Sequence, residues 1–153
     1  MKGYPDWFST VIIATVVFLF FTGCLLIPTM LDFRLEWDMP WKLSGKQRVT
    51  VAALHVILSY FILIIMGSLW RIHMRVGLRI KQNRYSGFIM VATLLGLTIT
   101  GVGIFYLGDE RLSITASVVH LLTGGLIPLL FFYHFIKGRA LAKERMHRIS
   151  QHS

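Results

Sequence analysis

The sequence predicts an all-α fold: a four-helix transmembrane bundle, up-and-down, with both termini cytoplasmic. Three observations predict it. The 153-residue chain is 55% hydrophobic and 15% charged, with a mean hydropathy of +0.65, which is too apolar for a soluble domain of this length. Its apolar residues gather into four uninterrupted stretches, 7–31, 49–70, 87–107 and 112–136, each about 20 residues or longer and so able to cross a hydrocarbon core. The third observation is the charge. Lys2, the loop from Arg71 to Arg84 and the tail after Ile136 hold eleven of the sixteen Lys and Arg residues, against the acids Asp6 and Glu144. The other two loops hold five basic residues balanced by five acids: Asp32, Glu36, Asp38, Asp109 and Glu110. The first group is cytoplasmic by the positive-inside rule.

The chain reads as a single membrane domain over 1–153. The first helix, about 7–31, carries the only cysteine, Cys24, which excludes an intrachain disulfide and a cysteine metal cluster. Its FTGC context is similar to a lipoprotein cleavage box, but LLIPTML continues the apolar run beyond it, so Cys24 reads as a small interior residue. A loop of some seventeen residues, external by the charge rule, leads to the second helix, about 49–70. A basic internal loop leads to the third helix, about 87–107, with Gly96, Gly101 and Gly103. Small residues at such spacing allow close helix contact, or would suit a flat cofactor. The turn LGDERLS is so short that the third helix and the fourth, about 112–136, must be antiparallel neighbours. The tail 137–153 reads as a basic helical extension. Trp7, Trp37, Trp41 and Trp70 fall near helix ends, where indole suits the interface. The net charge of +9 thus belongs to one face. It points to anionic lipid head groups and not to nucleic acid.

Histidine costs energy in hydrocarbon unless its ring nitrogens are occupied. Two of the six histidines, His147 and His152, lie in the tail. The other four are His55 and His73 on the second helix, and His120 and His134 on the fourth. Eighteen positions make five whole α-helical turns, and fourteen fall roughly 40° short of four, so each helix carries a one-sided histidine stripe. His55 lies about 10 Å inside Arg48 and His120 about 13 Å inside Arg111 along the axis, so these two meet at one level. The inner pair, His73 and His134, is offset by roughly 6 Å unless helix tilt absorbs it. His73 in LWRIHMRVG otherwise reads as an interfacial cation beside lipid phosphate.

Two facing imidazoles suit a metal between them, and histidine is a leading axial ligand of haem iron. A zinc site would want a fuller ligand set. A porphyrin supplies four nitrogens and asks the protein for two, which favours haem b. Covalent c-type attachment is excluded, because there is no C-x-x-C-H. Gly124 and Gly125 lie between the histidines of the fourth helix, where a macrocycle edge could approach the backbone. Ser59, Ser117 and Thr123 are candidates to orient a ring. Arg71, Arg75, Lys46 and Arg48 are cations near the membrane faces, suited to haem propionates.

HLLTGGLIPLLFFYH, with histidines fourteen apart, and the preceding TGVGIFYLGDE resemble the small integral-membrane cytochromes b. These include the four-helix subunits of formate-dehydrogenase and hydrogenase type and their compact bacterial relatives. The likeness covers the second to fourth helices, about two thirds of the chain. It implies two stacked haems b, held by His55 with His120 and by His73 with His134, in a bacterial inner membrane. It also implies electron transfer between a redox partner protein, within or beside a larger membrane complex, and the quinone pool or another cytochrome. Two features differ from the family. The first helix has no histidine, and the second spaces its pair by eighteen. The rival expectation is a haem-free accessory subunit whose histidines hydrogen-bond between helices. A histidine proton pathway is weaker, because no carboxylate lies within the membrane.

Overall fold

The computed structural model describes residues 4–79 and 83–151; Lys2, Lys81 and His152 lie outside them. Every element among the described residues is helical: α1 (Asp6–Leu35), α2 (Gly45–Leu69), a π-helical turn (Trp70–Met74), α3 (Arg75–Arg79), α4 (Arg84–Tyr106) and α5 (Glu110–Gln151). Four of them, α1, α2, α4 and α5, are long and apolar enough to cross a membrane. The protein is a transmembrane helical bundle.

Local chemistry sets the helix ends. α1 ends where Glu36 turns left-handed (φ 55°) and the Trp37 N–H returns to the Leu31 carbonyl at 3.2 Å, a helix-closing turn. α2 starts at Ser44, whose N–H and hydroxyl both reach Gln47 Oε1, at 3.1 and 2.8 Å; the capping pair satisfies donors at the exposed end. Asp109 opens α5 by accepting the Leu112 N–H at 2.8 Å, as an N-cap does. These caps carry α1 four residues beyond the sequence reading and start α2 four residues before it. The basic tail continues α5 as one 42-residue helix. The largest departure from regularity is at the inner end of α2, where the π turn carries His73.

α1 packs against α2 and α5, and α4 packs closely against α5 and lightly against α2. The two histidine-bearing helices, α2 and α5, therefore sit across the bundle from one another. Ile12, Ile62 and Ile65 form a buried cluster, with Phe8, Leu19 and Phe131 packed on it. Buried Ile127 lies midway between His120 and His134. An apolar layer thus separates two histidine levels: an outer one near the 107–109 turn and an inner one near α3. Away from that layer, burial is reversed relative to a soluble domain. Thr15, Thr22, Ser86, Ser113 and Ser117 are buried, while Phe18, Phe21, Ile57, Ile64, Ile99, Leu122 and Phe132 are exposed. Lipid accounts for the exposed apolar belt, and interior hydroxyls are what bind helices in hydrocarbon.

Candidate metal centres

The bundle brings the four histidines together as two pairs. His55 and His120 have ring centroids 6.2 Å apart at an interplanar angle of 69°; His73 and His134 are 6.0 Å apart at 74°. The inner rings meet as closely as the outer ones despite the offset of roughly 6 Å that regular α2 geometry predicts. The π turn Trp70–Met74 lies within the segment where the discrepancy arises, and its one extra residue takes up about 1.5 Å of axis, a part of that offset.

The spacing is informative. Two metal–nitrogen bonds of about 2 Å in line, with an imidazole radius of about 1.2 Å beyond each nitrogen, separate the centroids by about 6.4 Å. A direct nitrogen-to-nitrogen hydrogen bond of about 2.9 Å would bring them to about 5.3 Å. Both pairs lie nearer the first value. Edge-to-face ring packing tolerates the same range, so the protons decide between the two.

Hydroxyls fix those protons. Thr22 Oγ1 on α1 lies 3.0 Å from His55 Nδ1, and also 2.9 Å from the Phe18 carbonyl and 3.0 Å from that of Leu19. Thr100 Oγ1 on α4 lies 3.0 Å from His120 Nδ1, with the Gly96 and Leu97 carbonyls at 2.9 and 3.1 Å. Each hydroxyl has one proton. Donating it to the ring would leave the oxygen facing two carbonyl oxygens without a proton between them, so it goes to the backbone and the ring donates from Nδ1. Ser86 repeats the arrangement for His134: its Oγ is 2.9 Å from Nδ1 and donates to Asn83 Oδ1 at 2.6 Å. Asn83 Nδ2 in turn donates to the His134 carbonyl at 3.1 Å. Three rings are thereby held in the tautomer that leaves Nε2 a bare lone pair. Two such lone pairs at the outer level share no proton. What suits them is an electron-pair acceptor between the rings.

A glycine comes directly after each hydroxyl, and the ring lies on it. A Cβ on Gly23 would meet His55 Cε1 at 3.2 Å; on Gly101 and Gly87 it would come within 3.5 Å of Cε1 of His120 and His134. Of the residues in these Thr-Gly and Ser-Gly pairs the sequence reading named only Gly101, as suited to close helix contact or to a flat cofactor; Thr22, Gly23, Ser86, Gly87 and Thr100 it missed. The signal was present: 86–87 and 100–101 are fourteen apart, as are His134 and His120.

The other expected residues fall elsewhere. Ser59 and Ser117 donate to carbonyls of their own helices, His55 O at 2.7 Å and Ser113 O at 2.9 Å, and Thr123 donates to Val119 O. Gly124 faces Leu97 at 3.8 Å, and Gly125 has open space beside it. Arg71 and Arg75 flank His73 and are exposed, as is Lys46. Arg48 lies over the Phe33 ring, 4.8 Å from its centroid. Thr29 Oγ1 is buried without a partner, seven residues along α1 from Thr22 and so on nearly the same face. Among the described residues no group of three or more His, Cys, Asp or Glu side chains converges, so each centre offers two imidazoles. No protein family, curated protein or solved structure matches this chain.

Proposed function

We propose that the protein is a di-haem b-type membrane cytochrome, in which His55 and His120 would hold one haem at the outer level and His73 and His134 a second at the inner level. The observation that carries this reading is the pairing itself. Two imidazole pairs lie 6.2 and 6.0 Å apart, and three of the four rings present an unprotonated Nε2. A cofactor that brings its own equatorial nitrogens needs only that. The orphaned Thr29 hydroxyl supports the same group, since a propionate near the outer level would accept its proton. When bound, each haem would exchange one electron between ferric and ferrous iron.

The chain's own residues supply holding and insulation. Thr22, Thr100 and Ser86 keep Nε2 free for the iron. The Ile12, Ile62 and Ile65 layer keeps water from the path between the levels. His120 and His134 are about 21 Å apart along the axis, most of a hydrocarbon core of about 30 Å. The pair of centres would therefore carry electrons from one membrane face toward the other, between a redox partner protein and the quinone pool or a second cytochrome. The basic end faces the cytoplasm of a bacterial inner membrane on this reading, where the α5 extension meets anionic head groups.

A pyridine haemochrome assay on detergent-purified protein tests it. Two haems b per chain are expected. One would retain only a single pair, and none, after expression with ample haem, would make the protein an accessory subunit held together by its histidines.

A further inference from the structure

The four histidines are not held alike, and the difference falls on His73. We propose that His73 is the exchangeable ligand of the inner centre, which makes that centre a binding site for small uncharged ligands of ferrous iron while the outer centre stays closed. The proposal rests on the haem reading above and goes beyond it, because a bis-histidine conduit has no open coordination position.

Three observations single out His73. His55, His120 and His134 each have a hydroxyl at 2.9–3.0 Å from Nδ1, whereas among the described residues no side chain hydrogen-bonds the His73 ring. A ligand imidazole pinned at its far nitrogen stays in place when its metal bond breaks and rebinds; an unpinned one swings away. Such outer partners are worth about 10- to 100-fold in metal affinity, so His73 is the weakest of the four ligands by about that factor. As a whole residue His73 is also more exposed than the other three, although its ring packs on His134 as closely as His55 does on His120, so a freed ring starts beside the membrane surface.

The backbone beneath it is the third observation. His73 sits in the π-helical turn Trp70–Met74. A π turn holds an extra residue relative to the α turn it replaces, and its relaxation rotates the residues beyond it by about 100° around the axis. The other three histidines lie within regular α2 and α5. His73 alone has both a reason to leave and a backbone movement that takes it away. The partner ring stays behind, because Ser86 and Asn83 fasten His134 from α4.

With haem bound, the exchange would release His73 Nε2 from the iron and give its place to the incoming ligand. No electron moves, and Nε2 keeps its lone pair. Carbon monoxide is the probe. Protein shown by pyridine haemochrome to hold two haems is reduced with dithionite and titrated with carbon monoxide. One carbonyl per two haems is expected. His73→Ala should still form one carbonyl per two haems, with about 10- to 100-fold higher affinity because no ring competes. Thr100→Val, which unpins His120, should add carbonyl formation at the outer haem.

Two haems without a carbonyl, or with a carbonyl at both, overturn the proposal and leave the haem reading intact. A second carbonyl appearing in His73→Ala also overturns it, since the first would then belong to the outer centre. Absence of haem overturns both.

Discussion

Thr22 and Thr100 stand on helices that carry no histidine, yet each determines what its histidine can do. A single hydroxyl proton, committed to the turn behind it, obliges the imidazole to donate from Nδ1 and leaves Nε2 for the interior. Thr22→Val keeps the shape and removes the oxygen. On the proposed di-haem reading, the expected result is outer haem held about 10- to 100-fold less tightly, measured by haem transfer to an apo-globin. The midpoint potential of that haem should rise, because an imidazole without an acceptor on Nδ1 donates less electron density to ferric iron. Thr22→Ser should restore both, which a purely structural role for the methyl group would not allow. Gly23 contributes through its size. A Cβ there already stands 3.2 Å from His55 Cε1, so the branched side chain of Gly23→Val has to push the ring off its axis. Loss of the outer haem with the inner one retained is the expected outcome, read from the haem-to-protein ratio and the remaining absorbance. Equal loss of both haems would mean that the bundle, and not the ring, had failed.

At the scale of helices, α4 and α5 approach closely where Gly103 meets Ala116: a Cβ on Gly103 would lie 3.3 Å from that of Ala116 and 3.2 Å from Leu107 Cδ1. Gly103→Leu therefore wedges the two helices apart one turn from Thr100. Overpacking of this kind costs about 1–3 kcal/mol, and a lower midpoint of thermal unfolding in detergent, tracked by circular dichroism, measures it. The outer haem should loosen before the inner, because Thr100 moves with Gly103 while Ser86 is four turns away. The four membrane helices were legible in the sequence because a lipid-facing segment must be continuously apolar, and nothing between residues 7 and 31 or 112 and 136 interrupts that. The histidine stripes were legible for an equally simple reason, since fourteen or eighteen residues close a near-whole number of turns. The inner register was not. A π turn has no charge or periodicity signature, and Trp70–Met74 reads like any helix end. The hydroxyl partners were sought on the histidines' own helices, at Ser59, Ser117 and Thr123, because helical spacing relates residues along one helix. Which helix lies behind a ring depends on how four helices pack, and only the folded bundle makes Thr22, Ser86 and Thr100 neighbours of histidines 20 to 48 positions away.

For the molecule as a whole, an even number of crossings puts both chain ends at one end of the bundle, and a direct contact supports this: the Tyr4 hydroxyl donates to the Ser68 carbonyl at 2.9 Å, joining the start of α1 to the last turn of α2. That end also carries α3, the basic α5 extension and the inner histidine pair. The opposite end has a balanced surface, in which Asp32 pairs with Lys42 at 2.8 Å and Arg34 donates to the Ile104 carbonyl at 3.3 Å. An exposed ion pair of that kind contributes little to stability. Among the described residues the first end holds nine basic residues and the other five balanced by acids, and the more basic end resists translocation more. By the positive-inside rule that difference is expected to set the orientation, and with it which histidine pair faces which compartment. Cys24 is the only natural cysteine, so Cys24→Ala supplies a background for single-site labelling. With Ser44→Cys, at the start of α2, a membrane-impermeant maleimide should label intact spheroplasts. With Ser150→Cys, near the end of α5, labelling should require permeabilisation. The reverse pattern would turn the molecule over, placing the His55–His120 centre and the orphaned Thr29 on the cytoplasmic side and the exposed His73 on the other.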